Sequence, residues 1–170
     1  MPGGKVIFEK LNYGFPGTIS RNPDNIVGAW RLKEDSPQVF FGQAVALNDD
    51  GSVSLIDDTN ADNFIGFAVR NVRQSTDYFS SQGFYNPNDE VAVLTRGNMT
   101  VSCNNGTPTA KGDAYVRVVE DTTTVPEGVV GEVEAVADGT NTVLLNNVVF
   151  TTNRVDGNMV TEIAVLHRNI

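Results

Sequence analysis

"FIGFAVRNV", residues 64–72, reads as a β-strand interrupted by a glycine, and a related string, "VVGEVEAV", recurs at 129–136. A glycine inside a strand pattern marks a bulge, a bend or the close approach of another backbone. The first half of the chain leads from "SPQVFFGQAVAL" through an Asp-Gly turn to "FIGFAV", and the second from "TPTAKGDAYVRV" through "TTTVPEG" to "VVGEVEAV". Each half has Ser-Pro or Thr-Pro, a Gly-x-Ala strand (Gly42–Ala44, Gly112–Ala114), and then a glycine after Ile or Val (Gly66, Gly131). The shared order predicts that Gly66 and Gly131 are corresponding corners of one barrel. Chance similarity among Val-rich strands is the alternative.

The composition favours strands throughout. The chain has 24 Val and 15 Thr against 8 Leu and 4 Lys, and 18 Asn with 16 Gly supply turn chemistry. No window longer than ten residues shows a helical period of apolar residues. Four Asn-Gly or Asp-Gly signals punctuate the chain: "NDDGS" (48–52), "CNNGT" (103–107), "ADGTN" (137–141) and "VDGN" (155–158). They predict pairing of 38–47 with 52–57, 98–103 with 113–120, 129–137 with 142–152, and 142–152 with 159–168. Further strands are expected at 4–11, 64–73 and 90–95. The fold class that follows is all-β: a compact antiparallel β-barrel or sandwich of about ten short strands. Residues 1–37 are expected to form an N-terminal arm and first strand. Residues 38–170 form the barrel or sandwich, with a long aromatic loop at 74–89.

Several functions are disfavoured. No run of ~18 apolar residues exists, so no transmembrane helix is expected. "MPGGKVIFEKLNYG" lacks an apolar core for Sec-type export. Net charge is −9, and twelve scattered Lys and Arg form no basic cluster, which argues against nucleic-acid binding. Cys103 and His167 are the sole residues of their types, so neither a Cys-His or Ser-His-Asp nucleophile nor a zinc site can be assembled convincingly. Cys103 is expected to be a buried, inert thiol and His167 a strand-end imidazole. Of the carboxylate pairs, Asp49-Asp50 reads as a turn, Asp57-Asp58 as the end of a strand, and Asp89-Glu90 and Glu120-Asp121 as flanking strands, and "NDDGS" lacks the ligand pattern of an EF-hand. No catalytic, metal or cofactor residue is predicted.

Two stretches break the strand rhythm. Residues 12–37 carry Tyr13, Phe15, Ile26 and Trp30 among Gly, Pro, Asn and Asp, and residues 74–89 crowd Tyr78, Phe79, Phe84 and Tyr85 into one loop. Long aromatic loops are uncommon, because exposing each ring forgoes ~1.5–3 kcal/mol of burial. Either they cap the open ends of the barrel, or they are arms that bury their rings on a neighbouring subunit. Arg70, Arg73 and Arg96 lie beside the second loop, and Arg outnumbers Lys eight to four. Arginine's planar fork suits interfaces, with ordinary surface salt bridges as the plainer reading. The candidate partner interface is Tyr13, Phe15, Trp30, Arg70, Arg73, Tyr78, Phe79, Phe84 and Tyr85.

The run "FGQAVAL" … "FIGFAVRNV" … "YNPNDEVAVLTRGNMTV" … "AKGDAYVRV" resembles the structural cement, or decoration, proteins of tailed-phage capsids. The matching segments are Gly42–Val45, Gly66–Val69, Tyr85–Glu90, Val93–Gly97 and Lys111–Val116. Asn88 stands where the family pattern has glycine, and the loop before Tyr85 is long and unusually aromatic. The resemblance implies a structural protein without enzymatic activity. It would bind the major capsid protein on the outside of the phage head and stabilise the expanded shell across subunit joints. It would be made in the host cytoplasm, would self-associate as a homotrimer, and would engage neither nucleic acid nor membrane. A second class stays open: a β-sandwich binding module of a phage tail or fibre, or of a carbohydrate-binding protein, with the aromatics as a sugar platform.

Overall fold

Residues 90–102, "EVAVLTRGNMTVS", are the chain's longest run of β-type residues facing two cores, and they organise the rest of the molecule. In the computed structural model, which describes residues 11–71 and 83–169, they form one thirteen-residue strand. All but the last residue of the strand expected at 4–11 lies outside the described residues, as do Arg73, Tyr78 and Phe79 of the candidate interface. The strands in chain order are β1 (Ile19–Arg31), β2 (Val39–Phe40), β3 (Ala44–Leu47), β4 (Val53–Leu55), β5 (Phe64–Ala68), β6 (Phe84–Tyr85), β7 (Glu90–Ser102), β8 (Asp113–Arg117), β9 (Val133–Glu134), β10 (Thr142–Phe150) and β11 (Val160–Val165). The helical content of the described residues is one 3-10 turn at Ala61–Asn63. The all-β expectation holds.

β7 is the shared spine. Along one edge it pairs antiparallel with β1 from Glu90 to Met99. Along the other it pairs with β5 at Val93 and Leu94, and with β11 from Gly97 to Ser102. The sheet extends outward from β5 through β3 to β4, and from β11 through β10 and β8 to β9. Each wing curls back on the spine. A parallel bridge joins Leu32, just past β1, to Val53 of β4, and another joins Cys103, just past β7, to Val133 of β9. The result is one antiparallel sheet rolled into two lobes, and β2 with β6 forms a small second sheet over the first.

Each lobe holds a core. One contains Phe64, Phe67, Leu94, Met99, Val101, Val116, Phe150 and Ile163, and the other Leu32, Val39, Phe41, Val45, Ile65, Tyr85, Val91 and Val93. Val45 and Ile65 point one way while Ala44, Ala46 and Phe64 point the other, so β3 and β5 are a wall buried on both faces. In β7, Val91 and Val93 face the second core, whereas Met99 and Val101, also odd-numbered, face the first. The switch occurs across Gly97, whose φ of +125° is open to glycine alone among common residues. One strand thereby supplies two cores.

Gly66 has a different task. Its strand shifts register between the Val45–Gly66 and Ala46–Phe64 pairs, and a side chain there would meet the Leu94 carbonyl oxygen at 2.1 Å. It is a bulge with close backbone approach. Gly131 is not its counterpart, because it sits in a turn at φ +84° rather than within a strand. The recurrence that the structure contains is of turns. Phe40–Gln43, Asn86–Asp89, Thr109–Gly112 and Val129–Glu132 each close with the fourth N–H donating to the first carbonyl, at 3.1, 3.0, 2.7 and 3.1 Å. The third residues, Gly42, Asn88, Lys111 and Gly131, have φ of +84°, +71°, +67° and +84°, as type II turns require. Each turn is followed at once by a strand: β3, β7, β8 and β9. Gly131 therefore corresponds to Gly42. Asn88 fits a position typical of glycine because Asn tolerates positive φ.

Two of the four hairpin expectations fail. "NDDGS" and "VDGN" join the neighbours β3–β4 and β10–β11. Residues 98–103 pair with β11 rather than with 113–120, and β9 pairs with β8 rather than with 142–152. Asn-Gly and Asp-Gly set a local turn, whereas the closing of each lobe decides which strands meet. The irregular stretch 12–37 also hides β1, because "NPDN" at 22–25 falls where its pairing with β7 shifts register.

Candidate functional site

The residues that resemble catalytic groups are held in structural roles. Asp50, Asp57 and Asp121 each accept from the N–H and hydroxyl of a Ser or Thr two residues on, at 2.6–2.9 Å. These are local turn-stabilising bonds with a legible D-x-[ST] signal. Cys103 is buried, and desolvation pushes its thiol up to about 12, so it stays protonated and unreactive. His167 is exposed, and its backbone carbonyl accepts from Asn147 Nδ2 at 2.8 Å. No group of three potential metal ligands occurs among the described residues.

Two ionic clusters, one buried and one joining a buried carboxylate to an exposed arginine, were not predicted from the sequence. Arg117 on β8 and Glu134 on β9 are 2% and 1% exposed. Arg117 Nε and Nη2 clasp the Glu134 carboxylate, and Nη2 also donates to Asp138 Oδ2 at 2.9 Å. The bond to Glu134 above all raises the guanidinium pKa, so the cation is permanent. On β11, burial alone would raise the Glu162 carboxyl. Hydrogen bonds from Arg21, Ser20 and Thr151 outweigh it and hold the group below its usual range. Nothing local in sequence marks either cluster, since the partners lie on different strands.

The surface feature with unspent binding capacity lies where the lobes meet. The turn Phe40–Gln43 docks on the turn Val129–Glu132: Ala44 N–H donates to Gly131 O at 2.8 Å and Gln43 Nε2 to Val130 O at 3.0 Å. The N-terminal segment crosses beside them. Phe15 O accepts from Thr100 Oγ1 at 2.7 Å, Gly17 N–H donates to Thr100 O at 2.7 Å, and Arg70 N–H donates to Gly17 O at 2.8 Å. Together these elements enclose a cleft of about 620 Å³, lined by Phe15, Pro16, Phe40, Phe41, Gln43 and Glu132 among others. At its rim Phe15 and Phe40 are 47% and 38% exposed. Arg70 stacks over the Phe15 ring with its guanidinium carbon 4.1 Å from the centroid. Among the described residues, one guanidinium nitrogen, Arg70 Nη1, is buried without a hydrogen-bond partner. Within the cleft, burial raises Glu132 to about 7, the Glu134 charge adding to the effect and a Ser102 hydrogen bond opposing it.

The structure brings some of the sequence-selected residues to this face. Phe84 packs edge-on against Phe40 with centroids 5.6 Å apart, and Phe41 against Tyr85 at 5.4 Å. Tyr85 is fully buried and its hydroxyl donates to Val69 O at 2.7 Å, so it supports the face from beneath. Tyr13 lies under Arg154, 4.4 Å from guanidinium carbon to centroid, and its N–H donates to Asp156 Oδ2 at 2.7 Å. Trp30 is elsewhere, half-buried against the core that holds Val91 and Val93. Phe40 was missed because its neighbours read as an ordinary strand.

Comparison with known proteins agrees with this architecture. The capsid of Myoviridae phage XM1 contains a chain with a TM-score of 0.70 and 16% identity, matched over 97% of this chain and 98% of that one. That likeness speaks for the fold. No curated protein matches this sequence. The profile of the structural cement protein family (E217 gp24/Pam3 gp6) matches residues 6–166. With almost the whole chain matched, this protein belongs to the structural cement protein family and is a capsid cement component of a phage virion.

Proposed function

We propose that the protein sits on the outside of the phage head and bridges joints between capsid subunits through the cleft face, acting as a homotrimer and without catalytic turnover. The observation that carries this reading is the rim itself. Two phenylalanines remain partly exposed around a preformed cleft, and a stacked arginine has a buried donor unfilled. Aromatic rings and arginine are the residues that dominate the energetics of protein interfaces. Tyr13, Phe15, Arg70 and Phe84 form the described part of the proposed contact, supported by Tyr85. Arg73, Tyr78 and Phe79 are assigned to it because they fall in sequence between Arg70 and Phe84. Trp30 is assigned to a separate contact at the far end of β1. The acidic net charge of −9 supports contact with protein rather than with packaged DNA.

Cosedimentation with purified capsids tests the proposal. Saturable binding to expanded shells, weak binding to unexpanded proheads, and at least tenfold weaker binding of Phe15→Ala with Phe40→Ala are expected. Binding that survives both substitutions would move the contact elsewhere. Glycan binding without capsid binding would favour the tail-module reading.

A further inference from the structure

β1 lies at the margin of the sheet, and its two halves differ. The first is guarded: Pro23 has no N–H, Asp24 is charged, and the register shifts between Ile19 and Val27. These are devices that keep sheet edges from pairing with strangers. The second half has none of them. From Val27 to Arg31 the pairing with β7 is regular, and Leu32 beyond it donates to Asp89 O at 2.8 Å and accepts from Asn88 N at 2.9 Å. Antiparallel ladders alternate, so Trp30 and Gly28 also face their main-chain groups to β7, while Val27, Ala29 and Arg31 face theirs outward. Arg31 adjoins the Leu32–Val53 bridge. The outward groups of Val27 and Ala29 have no partner among the described residues, and the Val27 side chain is 44% exposed.

We propose that this open edge receives residues 5–10, "KVIFEK", of a second copy as an added strand. Val6-Ile7-Phe8 is the strand-favouring core of that segment, and Lys5 and Lys10 flank it, two of the chain's four lysines. The end of the edge carries the opposite sign. Glu34, Asp35 and Asp50 surround the depression beside Arg31 and Lys33, and Lys33 is already paired with Asp35 at 3.4 Å. Residues 34–62 hold seven Asp and Glu and no Lys or Arg.

Reach decides that the donor is another copy. Leu11 is tied by its carbonyl to Arg154 Nη2 at 2.7 Å, beside Thr161, whose partner on β7 is Val101. That point lies past the Ile19 end of β1, which pairs at Met99. Ala29 pairs with Ala92, seven residues along β7 from the Met99 that pairs with Ile19, so the two points are about 23 Å apart at ~3.3 Å per residue. Leu11 back to Ile7 covers at most about 14 Å. A segment given by each copy to the next is a heterologous contact, which closes into a ring when the rotation allows. The inference deepens the proposed self-association and supplies main-chain hydrogen bonds as its basis.

Sedimentation velocity of the purified full-length chain, without capsids, is the test. The full chain should sediment as an oligomer, and deletion of residues 1–10 should give a monomer. Ala29→Pro should also give a monomer with an unchanged far-UV spectrum, because the N–H it removes faces outward. Oxidation of an Ile7→Cys, Val27→Cys double variant should yield disulfide-linked oligomers, and Val27→Cys alone should not. A monomeric full-length chain, an oligomer that survives both the deletion and Ala29→Pro, or cross-linking through Val27→Cys alone would each overturn the proposal. So would a monomer whose capsid binding is lost on Ala29→Pro, since the shell protein would then own the edge. These readouts use free protein, so their failure is separable from failure of the capsid contact.

Discussion

Replacing Gly66 with alanine tests the central packing claim. The new Cβ would lie 2.1 Å from Leu94 O, and 2.9 Å from both Leu94 C and Val93 Cγ1. Carbon–oxygen contacts settle at about 3.3 Å or more, so β5 would have to retreat from β7 by roughly 1 Å. It has nowhere to go. Phe67 and Ala68 are paired with Leu94 and Val93, Val45 pairs with Gly66 on the other edge, and both faces of the wall are buried. Overpacking of this kind costs about 1–3 kcal/mol, and each strained ladder bond adds about 1 kcal/mol. The expected loss is about 3–4 kcal/mol, or a melting temperature lower by roughly 6–16 °C for a chain of this size. Urea unfolding followed by the fluorescence of Trp30, the single tryptophan, reads it directly. Gly157→Ala is the control: nothing lies within 4 Å of its Cβ, and the change should stay within about 1 kcal/mol. If Gly66→Ala loses less than about 1 kcal/mol, then β5 and β7 are not locked at this point and the shared-wall account is wrong.

Three further outcomes are expected. Glu134→Gln leaves the buried Arg117 with Asp138 as its remaining carboxylate and should cost at most about 3–5 kcal/mol in urea unfolding, whereas the Arg117→Met, Glu134→Leu pair should recover much of it. Glu132, raised from 4.5 to about 7 chiefly by burial, keeps a proton in the folded state that the unfolded chain releases. Its contribution is full below pH 4.5 and is lost as pH rises through 7; Glu132→Gln should flatten this slope, by at most about 3 kcal/mol, in unfolding measured at pH 5 and pH 8. Deleting residues 1–18 should leave a cooperatively folded protein by circular dichroism. Deleting 1–31 removes β1, bares the edge of β7 and should abolish cooperative unfolding.

That last contrast bears on what the residues disclosed. The arm expected at 1–37 contains three different things: residues before 11, a docked segment at 11–18, and a full strand at 19–31. Strand recognition fails on β1 because its turn-like "NPDN" is accommodated inside the strand, opposite Gly97 of β7, whose missing side chain leaves room for Asn25. Each element looks like a break when read alone, and together they form a bulge. The carboxylates were legible for the opposite reason: Asp50, Asp57 and Asp121 find their partners two residues away. Arg117 and Glu134 were not, because their seventeen-residue separation carries no periodic signal and is closed by the β8–β9 pairing.

Turn residues within the segments that carry the family resemblance follow the same logic. Gly42, Asn88 and Lys111 are each the positive-φ residue of a turn that launches a strand, and Gly131, outside those segments, holds the same place before β9. These positions specify where strands begin, so they report the fold strongly and the binding face hardly at all. The rim residues obey no such rule. Phe15 and Phe40 come from segments that are distant in sequence: Phe15, in a stretch that breaks the strand rhythm, stands out as an interface candidate, whereas Phe40 looks locally like a residue that belongs in a core. Their exposure is a property of how the two docked turns and the N-terminal segment meet. In this chain the rigid body and the proposed capsid-binding face rest on different features: turns that fix the backbone for the first, and a few aromatic and arginine side chains on the joining elements for the second.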